Sequence, residues 1–89
     1  MACVDILDVE SAAVGALNPE ADRFFDLGMI YSTGRAVPTD LVSAHKWFNI
    51  AAARGNKEAI RLRREIASEM SELEVAAAQR AARDWLIRH

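Results

Sequence analysis

The chain has 89 residues, enough for one modest core that would remove roughly 60% of the unfolded surface from water. Hydrophobic residues at 52% argue against intrinsic disorder, and charged residues at 27%, spread along the whole length, argue against a membrane span. A net charge of -2 gives no electrostatic pull toward phosphate backbones or acidic lipid, so neither nucleic acid nor membrane is an expected partner.

Glycine (4) and proline (2) are too scarce for a fold of many short strands, whereas Ala, Glu, Arg and Leu-rich stretches favour helices. The single cysteine, Cys3, cannot close an internal disulfide. Asp5, Asp8 and Glu10 with no preceding Lys or Arg are the reverse of a secretory signal, so the chain is expected to be cytoplasmic.

Residues 1–17 form an N-terminal segment in which Val9 to Leu17 would be a short capping helix. Asn18 and Pro19 then suit the cap and first position of a helix, because proline lacks the N–H that would go unpaired there. Ala21, Phe24, Phe25, Leu27, Ile30 and Tyr31 recur at helical spacing as far as Gly34, which can end a helix in the left-handed conformation. Pro38 marks a connector, and Asp40 or Thr39 can cap a second helix running to about Arg54, with Gly55 as its stop. Its apolar stripe is Leu41, Ala44, Trp47, Phe48, Ala51 and Ala52, with His45, Lys46 and Asn49 lying off it.

Asn56 can cap a third helix with apolar positions Ala59, Leu62, Ile66 and Met70. The fourth has the clearest start: Ser71 and Glu74 make a Ser-x-x-Glu capping box, flanked by Met70 and Val75 as a hydrophobic staple. Glu72 and Glu74 at its beginning and Arg80, Arg83 and Arg88 toward its end complement the helix dipole.

The chain also repeats itself. Ala44-x-x-Trp47 returns as Ala82-x-x-Trp85, and Ala21 returns as Ala59, both at an offset of 38 residues, a helix-hairpin period. A small alanine lets two helices approach, and a tryptophan one turn later fills the space between neighbouring hairpins.

The run Leu27-Gly28-Met29-Ile30-Tyr31-Ser32-Thr33-Gly34-Arg35-Ala36-Val37-Pro38-Thr39-Asp40, continued by Ala44, Trp47, Ala51, Ala52, Gly55 and Ala59, resembles the Sel-one-like repeat, a relative of the tetratricopeptide repeat. That pattern is Leu-Gly, Tyr, Gly-x-Gly-Val, Asp, Ala-x-x-Trp and Ala-Ala-x-x-Gly at fixed spacing, and the match covers about one repeat. The resemblance implies an all-α fold of α/α helical-hairpin repeats, a short tetratricopeptide-like solenoid. Residues 18–56 would be the repeat hairpin, and 57–89 a degenerate second repeat that caps the C-terminal end, within one domain. Three positions depart from the pattern. Ala36 stands at the second turn glycine and would be strained if a positive φ were needed. Arg23 replaces a small residue, and the third helix lacks Leu-Gly-x-x-Tyr altogether.

Proteins of this family, often bacterial, are scaffolds and adaptors with no shared catalytic residues, so the resemblance implies a protein-interaction module with an unidentified protein partner. Solenoids usually need three or more repeats. Either flanking helices close this short core or a second copy of the chain stacks on it, the latter being preferred. The alternative function is accordingly a self-assembling structural protein whose repeat ends pair in a homodimer.

No chemical signature competes. His45 and His89 are far apart in sequence, Cys3 has no histidine near it, and Gly28, Gly34 and Gly55 form no phosphate loop, so no catalytic, metal or cofactor site is expected. Lys57, Arg61 and Arg64, with Arg54 nearby, are read as a solvated face laced with Glu58 and Glu65. Trp47, Phe48 and Trp85 are read as core, not as a ligand cage. A partner surface on the first helix would use the positions left free by the repeat pattern: Asp22, Arg23, Asp26, Met29 and Ile30.

Overall fold

A computed structural model describes residues 19–89. The expected cap at Asn18, the helix over Val9 to Leu17 and Cys3 lie outside the described residues. Among the described residues the protein is all helical, with four helices and no strand: α1 (Pro19–Thr33), α2 (Leu41–Ala53), α3 (Glu58–Ala67) and α4 (Glu72–Arg88).

Each boundary has a local cause. α1 ends at Gly34, whose φ of 71° is open to glycine and costly for other residues. Asp40 is the cap of α2: its Oδ1 accepts the Ser43 N–H at 3.1 Å and its Oδ2 accepts the Ser43 hydroxyl at 2.7 Å. These bonds, the hydroxyl foremost, hold the Asp40 carboxyl below its ordinary range. α2 stops in a Schellman motif, with Asn56 N–H donating to the Ala51 carbonyl and Gly55 N–H to that of Ala52, and Gly55 takes φ 108°. Asn56 Oδ1 accepts the Ala59 N–H at 3.0 Å and so tethers the start of α3. Before α4 the capping box is closed in both directions: Glu74 N–H to Ser71 Oγ at 3.1 Å, Ser71 N–H to Glu74 Oε1 at 2.8 Å. Ala36 carries no strain, because no non-glycine residue among those described has a positive φ.

Pairings between α1 and α2 run in opposite senses. Glu20 meets Arg54 at 3.9 Å, Phe24 stacks on Trp47 with centroids 5.7 Å apart, and the Asp40 N–H donates to the Tyr31 carbonyl at 3.0 Å. The two helices are therefore antiparallel. α4 runs in the same sense as α2, since Glu74 near its start lies beside Leu41 and Val42 while Trp85 near its end meets Trp47 and Arg54.

α2 makes extensive contact with each of the other three helices, and its buried residues show it: Ala44, His45, Phe48, Ile50 and Ala51. At 100° per residue these positions cover well over half of the helix circumference. Two expectations for α2 are thereby corrected. His45, expected off the apolar stripe, is 3% exposed, and Ile50, outside the expected stripe, is completely buried. A single stripe is the pattern of a helix with one covered face, whereas α2 is covered on three.

Phe48 and Ile50 are the largest fully buried side chains, with Ala44, Ala51, Ala59 and Ala82 packed around them. Trp47 and Trp85 are half-buried at the edge of this core and meet edge to face at 5.9 Å. Phe24 closes the trio, 4.8 Å from Trp85 in a T-shaped contact.

Candidate interaction surface

α1 divides into two faces. Ala21, Phe24 and Gly28 are buried and Phe25, Leu27 and Tyr31 half-buried against α2 and its neighbours. Asp22, Arg23, Asp26, Met29 and Ile30 are all exposed, and at 100° per residue they fall on a single arc opposite the buried side. The helix thus brings the five into one stripe.

The stripe grades along the helix. At its beginning Asp22 is within 3.4 Å of Asn56 Nδ2, and the neighbouring Glu20 faces Arg54, so this end leans on the turn between α2 and α3. At its far end Met29 and Ile30, each 37% exposed, border a hollow of about 260 Å³ with Thr33, Arg35 and Ala36. The Thr33 hydroxyl donates to the Met29 carbonyl at 2.8 Å, which turns this side chain's polar atom back onto the helix.

The other residues on which the resemblance rested serve packing, caps and turns. Leu27 and Tyr31 rest on the core, Gly28 lies against Phe48, and Ala44, Ala51 and Ala82 are at most 1% exposed. Ala52 is half-buried, Gly34 and Gly55 supply the positive φ of the two helix ends, and Asp40 is the cap described above.

A second hollow, of about 610 Å³, was not foreseen; it lies between the connector at Val37 to Thr39 and the start of α4. Its two carboxylates, Asp40 and Glu74, are both engaged as caps, so neither is poised for acid–base work. No local pattern announces this hollow, because it forms only where α4 comes up beside the connector.

Several polar groups elsewhere are also engaged. Arg61 pairs with Glu58 and with Glu65, the latter at 2.9 Å, and these bonds, that from Glu58 foremost, raise its guanidinium pKa. The Arg54 guanidinium lies 5.9 Å from the Trp85 ring centre. Arg63 donates to Asn49 Oδ1 at 2.6 Å, linking α3 to α2. His45 is buried on α2 with its Nδ1 unpartnered, while the His89 ring stacks on Trp85 at 4.4 Å. Among the described residues no three His, Cys, Asp or Glu side chains are grouped so as to hold a metal ion. Nor, among those residues, is any helix long and apolar enough to cross a membrane.

Comparison with protein-family models, with curated proteins and with solved structures finds no match to this chain.

Proposed function

We propose that this chain is a protein-interaction module of the Sel-one-like, tetratricopeptide-related kind, a short helical solenoid that holds a partner protein in the cytoplasm and catalyses no reaction. The free face of α1 carries the proposal: two adaptable apolar side chains, Met29 and Ile30, beside a hollow and flanked by Asp22, Arg23 and Asp26. A soluble helix with no partner gains nothing by exposing such a patch, whereas an apolar centre with a charged rim is the usual anatomy of a transient interface.

The repeat reading draws support from the environments of residues 38 positions apart. Ala21 and Ala59 are both fully buried, Ala44 and Ala82 are 0% and 1% exposed, and Trp47 and Trp85 are both half-buried in mutual contact. α2 and α4 also lie side by side in the same sense.

Affinity capture with the parent chain and with a Met29→Glu/Ile30→Glu variant, read by mass spectrometry, tests the proposal. A partner held by the parent and lost by a variant of unchanged helicity supports it. Associations that survive both substitutions overturn this surface.

A further inference from the structure

Among the described residues, four large apolar side chains are exposed. Two are Met29 and Ile30; the other two, Leu73 at 82% and Ile87 at 77%, lie on α4. Leu73 and Ile87 share one outward face of α4 with Ala77, Arg80 and Asp84, because positions 73, 77, 80, 84 and 87 return to the same side at 3.6 residues per turn. Arg80 and Asp84 are exposed, and neither forms an ion pair with another described residue.

The face has an internal symmetry. Leu73 and Ile87 each stand seven residues from Arg80, about 10 Å along the axis on either side. Acidic residues, Glu72 and Glu74, gather at the start of α4, and basic residues, Arg83 and Arg88, at its end. A twofold axis passing beside Arg80 would set Leu73 of one copy against Ile87 of the other, twice. It would set the two Arg80 side chains beside one another, each about 6 Å along the axis from the other copy's Asp84, and lay Glu72 of one helix opposite Arg88 of its mate, with opposed dipoles. Ala77, small and half-buried, lets the two helices come close.

We infer that the outer face of α4 is a self-recognition surface on which a second copy of this chain docks antiparallel, with Leu73 packing against Ile87 and Arg80 pairing with Asp84. Charge complementarity at the two ends selects this occupant: in the register that sets Leu73 against Ile87, Glu72 of one copy falls opposite Arg88 of the other, twice, while the Asp84 carboxylates flank the two Arg80 side chains at the axis. The inference rests on residues of α4 alone and not on the proposed α1 surface. One helix face is small beside the ~1,200 to 2,000 Å² of stable complexes, so the association is concentration dependent.

Sedimentation of the full 89-residue chain from micromolar to millimolar concentration is the test. The mass doubles across that range, and Leu73→Glu/Ile87→Glu raises the dissociation constant about tenfold or more, with helicity unchanged because both positions are exposed. Arg80→Asp alone and Asp84→Arg alone weaken the dimer and the double variant restores it, while the helicity of each monomer stays unchanged, which separates pairing between copies from the i,i+4 pair within α4. A chain that stays monomeric throughout, a dimer indifferent to Leu73 and Ile87, or a charge swap without rescue would each overturn the inference.

Discussion

Gly28 of α1 lies flat against the ring of Phe48 of α2: a Cβ placed on Gly28 would stand 2.5 Å from both Cδ1 and Cε1 of that ring. Phe48 is 1% exposed and has nowhere to retreat. Replacing Gly28 by Ala gains about 1 kcal/mol of helix propensity and loses about 1 to 3 kcal/mol to overpacking. The expected net loss is about 0 to 2 kcal/mol, seen as a lower urea midpoint at unchanged slope. Adding Phe48→Leu should make the combined cost smaller than the sum of the two, since the second change removes the atoms that clash with the first.

The trio of Phe24, Trp47 and Trp85 predicts a measurable coupling. Trp85→Ala strips contacts with both of the other rings and should cost about 2 to 3 kcal/mol, below the range for wholly buried tryptophans because Trp85 is half-buried. A double-mutant cycle pairing it with Phe24→Leu should return about 1 kcal/mol of interaction, measured by denaturant unfolding. Strict additivity would mean that the T-shaped contact stabilises nothing.

His45 predicts a pH dependence. Burial lowers its pKa from the ordinary 6.5, and Arg63, the charged group acting on it, lowers it further. In the unfolded chain the imidazole binds its proton at higher pH than in the folded one, so stability is complete above about pH 6.5 and declines as the pH falls below it. One such proton limits the slope to about 1.4 kcal/mol per pH unit. Thermal melts of the parent between pH 7.5 and 5 (on the order of the imidazole range) should show this decline, and His45→Gln should flatten it. An equal decline in that variant would assign the effect to other groups.

The caps predict two independent losses. Ser71→Ala opens the capping box of α4 and Asp40→Ala removes the acceptor at the start of α2, each costing about 1 kcal/mol. Because the two caps share no partner, the double variant should lose the sum, checked by chemical denaturation.

Helix boundaries were legible because their causes are local. Gly34, Asp40, Gly55 and the Ser71–Glu74 pair each act within four residues, and α1 ends, α2 begins and ends, and α4 begins beside them, whereas α3 stops at Ala67, short of Met70, which was expected on it. The burial of His45 and Ile50 was not legible, because it depends on α3 and α4 reaching α2 from two further sides, which a stripe drawn on α2 alone does not contain. The bond from Arg63 to Asn49 spans 14 positions between residue types that normally face water, and no spacing rule announces it. Among the candidate site residues, the exposure of Asp22, Arg23, Asp26, Met29 and Ile30 follows from the helical period alone, since Phe24 and Gly28 fix the opposite side.

With α2 in contact with each of the other three described helices, the described fold has a single spine. An array whose units meet only their neighbours can fray from one end and keep the remainder folded. Here α1, α3 and α4 each lean on the same thirteen-residue segment, so prising it out leaves none of them a hydrophobic seat. The backbone amides of α2 should therefore be the last to exchange with deuterated water, and only at the rate at which the whole protein comes apart.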